Sequence, residues 1–313
     1  MARENQSVVT EFIFQGLSSQ PRTQTALFIV FLVFYLFTML GNMTIITVIR
    51  ADSQLQSPMY FFLANLSLID ICYTSASMPQ MLVNLLTKKR TISFSGCATQ
   101  MYFCLVFGTT ECFLLGVMAY DRYKAICQPL LYPRAMCRKV CIHMVVASWT
   151  SSLLSSTVIL MVTSQLPFCG PDILNHYFCE VLAVRALACT DTALVDLLIF
   201  VFSIFIIFIP FLLILTSYAR ILVVTLKIQA ASVQSKVFST CGSHLLVVAL
   251  FYGTCICTYM KLKPRPPQDK DKVVAVFYTI VAPMLNPLIY SLRNKDMKCA
   301  LRRAMRRPKS LFV

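Results

Sequence analysis

Apolar and polar positions do not alternate along this chain. They separate into seven long apolar runs joined by short polar connections. The runs cover residues 23–49, 58–87, 97–120, 140–167, 197–218, 237–260 and 273–292, and none holds more than one ionisable group, these being Asp70, Glu111, His143 and His244. A hydrocarbon core of ~30 Å is crossed by about 20 helical residues, so each run is long enough to span a bilayer. The runs are continuously apolar and too long for the ~10-residue alternating strands of a barrel. The pattern therefore predicts an all-α membrane protein, a seven-transmembrane helix bundle over residues 23–292 with tails at 1–22 and 293–313. The longest connection, residues 168–196, is shorter than the ~50 residues of a small domain, so the function must reside in the bundle.

Composition agrees with lipid as the solvent: 58% of residues are hydrophobic and 13% charged, against about 25% charged in soluble domains. The net charge of +15 is distributed unevenly. With the N-terminus outside, 17 of the 28 basic residues fall on the inner side, giving it a charge of +14 against +3 outside. That asymmetry reports topology and attraction to anionic membrane lipids, with no nucleic acid implied. The basic stretch 293–309 is expected to form a short interfacial helix. Residues 1–22 lack an apolar segment long enough for a secretory signal, so the first span is expected to direct insertion. Asn5-Gln6-Ser7 is a glycosylation sequon on the side placed outside. Of 14 cysteines, four fall on the oxidising side, Cys97, Cys169, Cys179 and Cys189, and they allow three pairings.

Ionisable groups at bilayer depth need a reason. Counted at 1.5 Å per residue, Asp70 and Glu111 lie about 18 and 15 Å from the inner boundary, and Asn42 and Asn286 about 12 and 10 Å. Two such carboxylates both ionise only with a cation or proton between them. The alternatives are a small cation or a protonated carboxyl hydrogen-bonded to its neighbours. Arg122, next to Asp121 at the inner end of the third run, has the chemistry of a two-state latch or of a snorkelling interfacial arginine.

Several inner-end motifs occur in order: Gly41-Asn42, PMYFFLANLSLID from Pro58 to Asp70, MAYDRY from Met118 to Tyr123 followed by Ala125-Ile126-Cys127, Ser217-Tyr218, SKVFSTCGSHL from Ser235 to Leu245, and PMLNPLIYSLRN from Pro283 to Asn294. Together they resemble the rhodopsin-like (class A) G-protein-coupled receptors, and within them the odorant (olfactory) receptors, over essentially the full length. The resemblance implies disulfides Cys97–Cys179 and Cys169–Cys189, a sodium-type site at Asp70 and Glu111, and glycosylation at Asn5. It assigns G-protein coupling and activation to Asp121, Arg122, Tyr123, Tyr218, His244, Asn286, Pro287 and Tyr290. It further implies signalling through the olfactory stimulatory G protein to raise cAMP, at the plasma membrane. Lys124 departs from the family's apolar residue after the arginine motif; a lysine facing the G protein would weaken coupling, and one pointing to lipid headgroups would leave it unchanged. Val237 stands where the family usually has Ala.

The residues matching the family's ligand pocket are Cys104, Leu105, Gly108, Thr109, Phe202, Ile206, Tyr252, Cys255, Tyr259, Val276 and Thr279. The outer half of the third run holds no acid to pair with an amine, so the expected ligand is a small neutral volatile molecule. A transporter would also place carboxylates in the membrane, but no internal repeat or matched pair of broken spans is present. An intramembrane enzyme finds no support, because neither GxGD, GxSG nor HExxH occurs.

Overall fold

The computed structural model describes residues 9–169, 172–260, 268–293 and 295–306. Asn5 and the basic residues Arg307 and Lys309 lie outside them. Seven helices are long and apolar enough to cross a membrane. They are α1 (Pro21–Ala51), α2 (Pro58–Leu86), α3 (Phe94–Cys127), α4 (Arg138–Ser164), α5 (Ala193–Leu226), α6 (Ala231–Tyr259) and α7, built from Asp269–Val276, Phe277–Val281 and Ala282–Arg293 end to end. A further helix, α8 (Lys295–Arg306), follows. The third helix passes the predicted boundary at Tyr120 by two turns, so Asp121 and Arg122 lie within it.

Burial explains why every run is apolar all round. In α1 the buried residues Phe31, Thr38, Asn42, Ile45 and Ile49 recur at helical spacing on one face, while Val33, Leu36, Leu40 and Met43 are exposed on the other. Such a surface is stable against lipid, not water. Helix α8 has the opposite design. Met297 and Ala300 are buried and Lys298, Arg302 and Arg303 exposed, and Arg303 donates two hydrogen bonds to Asp52 Oδ2, at 2.9 and 2.7 Å, anchoring α8 to the α1–α2 connection.

Prolines set the irregular turns. A proline has no N–H for the carbonyl four residues earlier, and the π-helical segments Ile204–Phe208 and Phe277–Val281 each end two residues before one, Pro210 and Pro283. Pro287 likewise leaves the Pro283 carbonyl free, and Asn42 Nδ2 takes it at 3.2 Å, joining α1 to α7. One turn away Gly41 allows the close approach: a Cβ there would lie 2.9 Å from Pro287 Cγ. The pyrrolidine ring cannot rotate aside, so Gly41→Ala is expected to destabilise the bundle by about 1–3 kcal/mol. Gly253→Ala, with nothing within 4 Å of the added carbon, should be neutral or better. Thermal unfolding of the two purified variants in one detergent makes the comparison.

At the end of the bundle that carries the N-terminus, three short strands form a lid: β1 (Glu11–Phe14), β2 (Thr91–Ser93) and β3 (Ile173–Leu174), in the order β2-β1-β3. The segment expected as a tail is thus threaded between two connections. Its alternation puts Phe12 and Phe14 inside, 1% and 2% exposed. Two cations hold the turn that follows. Arg90 Nη1 donates to the carbonyls of Gln15 and Ser18, and Lys272 Nζ to that of Gly16, at 3.0 Å. Gly16 has φ +69°, a conformation glycine adopts without strain.

Candidate functional site

Both disulfides lie at the lid end: Cys97 is bonded to Cys179 and Cys169 to Cys189. The first joins α3 to the α4–α5 connection, and Gln100 reinforces it. Its Oε1 accepts from Cys179 N and its Nε2 donates to Ala76 O, both at 2.9 Å, so one buried amide ties α2, α3 and the connection together. Arg185 does the same toward α5, pairing with Asp196 at 3.1 Å.

Beneath this lid lies a cavity of about 90 Å³. Of the eleven residues matched to a pocket, eight line it: Cys104, Leu105, Gly108, Thr109, Phe202, Ile206, Cys255 and Tyr259. The other three stand off the wall. Tyr252 is fully buried below it and donates to the Cys112 carbonyl at 2.6 Å, fastening α6 to α3. Thr279 Oγ1 is engaged with Ala275 O and with the Tyr177 hydroxyl, and Val276 is half-buried without lining the space. Both π segments face the cavity, through Ile206, Ile207 and Tyr278. Helix α4 also contributes, through Ser155, Ser156 and Ile159. Sequence reasoning left α4 out because its apolar run carries no charge or aromatic cluster to distinguish it. No lining residue carries a formal charge.

One acid does sit close by, in the connection where a reading confined to α3 could not find it. Glu180, buried, accepts from Leu182 N and Ala183 N at 3.1 Å. Burial pushes its carboxyl up to about 7, against a smaller lowering by the Tyr259 hydroxyl and those two N–H groups. His176, nearby in the same connection, is held down to about 3 by burial and by Lys272. The signs oppose. Glu180, raised on folding, contributes stability that is present below 4.5 and lost as pH rises through 7. His176, depressed on folding, contributes stability that is present above 6.5 and lost as pH falls toward 3. The two slopes offset each other between pH 4.5 and 6.5. In Glu180→Gln only the histidine slope remains, so its melting temperature should rise over that interval relative to the wild-type protein. Parallel curves would contradict the assignment.

In mid-bundle, Asn286 Nδ2 donates to both oxygens of Asp70, at 3.2 and 3.0 Å. Glu111 is within electrostatic reach of Asp70, and both its carboxyl oxygens are buried without a hydrogen-bond partner, as is Asn42 Oδ1. Orphaned carboxyl oxygens beside another carboxyl fit a small cation between the two or a proton on one of them.

At the opposite end, Asp121 is fully buried and accepts from the Tyr132 hydroxyl at 2.9 Å, while Arg122 Nε lies 3.8 Å from its other oxygen. Tyr132 sits in a one-turn helix, Tyr132–Ala135, between α3 and α4, and nothing in its local sequence signals the contact. His244 bonds through Nδ1 to the Tyr218 hydroxyl at 2.8 Å, linking α6 to α5. Tyr290 is buried with its hydroxyl unpartnered. Tyr123 accepts from Gln128 Nε2 at 3.3 Å. Lys124 is held along its own helix, donating to Gln128 Oε1 at 2.6 Å and lying 5.4 Å from the Tyr120 ring centroid. It is thus tethered along α3.

Comparison with known proteins places this architecture. The family model described as olfactory receptor matches residues 31–307. The chain is 51% identical to human olfactory receptor 2D2, over 98% of this chain and 99% of that protein. It is 50% identical to human olfactory receptor 2A1/2A42, over 96% and 97%, and 48% identical to mouse olfactory receptor 5AR1, over 97% and 98%. A seven-helix membrane bundle with a lidded, uncharged cavity at one end and the Asp121–Arg122 pair at the other, matched at this identity over nearly its whole length, belongs to the olfactory receptor family and is a receptor, not an enzyme.

Proposed function

We propose that this receptor binds a small neutral volatile molecule in the lidded cavity and activates a stimulatory, olfactory-type G protein that raises cAMP. The observation that carries the reading is the cavity wall, which is apolar with scattered hydroxyls and no formal charge. Such a wall holds a ligand by dispersion and one or two hydrogen bonds. The lid end faces outside and the Arg122 end the cytosol. Support comes from the basic asymmetry of the connections, and from two disulfides at the lid end, where an oxidising compartment would form them.

Coupling runs through α6. Phe251, Cys255 and Tyr259 touch the cavity, Tyr252 just below holds α6 to α3, and His244 two turns further holds it to α5. A ligand that binds better when α6 is displaced shifts the population toward a state in which the inner end of α6 leaves Arg122. Asp70 and Glu111 would hold a sodium ion, whose charge would let both carboxylates remain ionised.

The test is a cAMP reporter screen of surface-expressed receptor against neutral volatiles and matched amines. Neutral compounds should evoke the response, and Tyr259→Ala should shift their potency. A response confined to amines would overturn the reading.

A further inference from the structure

Helix α4 carries serines at helical spacing along its buried face, Ser148, Ser152 and Ser156, which are 5%, 0% and 2% exposed. Ser148 donates to Met144 O at 2.8 Å and Ser152 to Ser148 O at 2.7 Å, the bond a helical serine makes to the carbonyl four residues earlier. Ser155 does the same with Ser151 O at 2.9 Å. Ser156 breaks the row. Its Oγ is buried and has no hydrogen-bond partner, and Ser156 is one of the residues that line the cavity. A buried hydroxyl left unmatched is destabilising. On α5, the lining residue Ser203 is already committed, donating to Ile199 O at 2.7 Å.

We propose that Ser156 is the ligand's hydrogen-bonding anchor and that it takes the oxygen of a small alcohol, aldehyde or ketone. The hydrocarbon part of that ligand lies against Ile159, Ile199, Phe202 and Ile206, which share the same wall. A hydroxyl can donate to a carbonyl and both donate to and accept from an alcohol. With no charged group lining the space, a neutral oxygen is the partner that satisfies Ser156 at least desolvation cost. A site built to hydrogen-bond an oxygen also discriminates against the analogue lacking it, because the orphan then remains. This inference rests on the cavity being the ligand site.

The test compares wild-type receptor, Ser156→Ala and Ser156→Thr in two measurements. In the first, C6 to C10 straight-chain 1-alkanols and aldehydes are set against 1-alkenes of equal length in the cAMP assay. Ser156→Ala should raise the half-maximal concentration of the oxygenated agonists about tenfold and leave the alkenes within twofold, while Ser156→Thr, which keeps the hydroxyl, retains the oxygenated response. Equal shifts in both classes, or no shift, overturn the anchor. In the second, thermal unfolding of purified receptor is followed with and without 1-octanol. Ser156→Ala should raise the ligand-free midpoint and blunt the stabilisation by 1-octanol. Equal midpoints and equal stabilisation overturn it even where no volatile evokes a response, an outcome that would count against the signalling reading instead.

Discussion

Arg122→Ala is expected to abolish ligand-evoked cAMP while the receptor still reaches the cell surface. The arginine lies on α3 with its Nε 3.8 Å from Asp121, and that Nε has no hydrogen-bond partner. Asp121 has a second and better partner in Tyr132, at 2.9 Å. Removing the guanidinium therefore leaves the carboxyl supported and costs the fold little, but takes away the positive group beside Asp121. Tyr132→Phe is the informative companion. It strips Asp121 of its neutral donor, tightens the claim of Arg122 on that carboxyl, and should lower potency without abolishing the maximal response. An unchanged cAMP response in Arg122→Ala, with surface expression measured by an N-terminal epitope, would remove the latch role.

The second large effect is expected from Cys97→Ser. The bond to Cys179 closes a stretch of 82 residues, for which chain entropy alone gives about 4 kcal/mol. The local consequence matters as much. Cys179 N–H donates to Gln100 Oε1, and Val181, which opens the short helix that follows, lines the cavity next to it. Without the bond the connection keeps that amide and its apolar packing with Met101 of α3. Surface expression and ligand response should both fall below detection, whereas Cys169→Ser, closing only 20 residues, should retain part of both. Equal behaviour of the two variants would contradict this ranking.

The bundle was legible in the sequence because lipid imposes one requirement on every span: about 20 apolar residues with few charges. The motifs that resemble olfactory receptors also read out directly, since each is contiguous within one helix. Contacts between elements were not legible in the same way. Phe12 and Phe14 alternate as a strand does, but their partners are 80 and 160 residues away. Glu180 looks like a loop acid until the fold buries it, and Ser156 looks like one more serine in α4 until its neighbours are seen to be satisfied and it is not. For the cysteines, redox compartment left three pairings open, and only proximity in the fold selects among them. The Val237 position has no account in the structure.

Guanine-nucleotide exchange on a purified stimulatory G protein, driven by the receptor alone in lipid nanodiscs, bears most directly on whether the lidded cavity controls the arginine end. An agonist from the volatile panel should accelerate exchange through the wild-type receptor and fail to do so through Arg122→Ala, with both proteins stabilised by the agonist to the same extent. Binding of the agonist with exchange unchanged in the wild-type receptor would contradict the coupling.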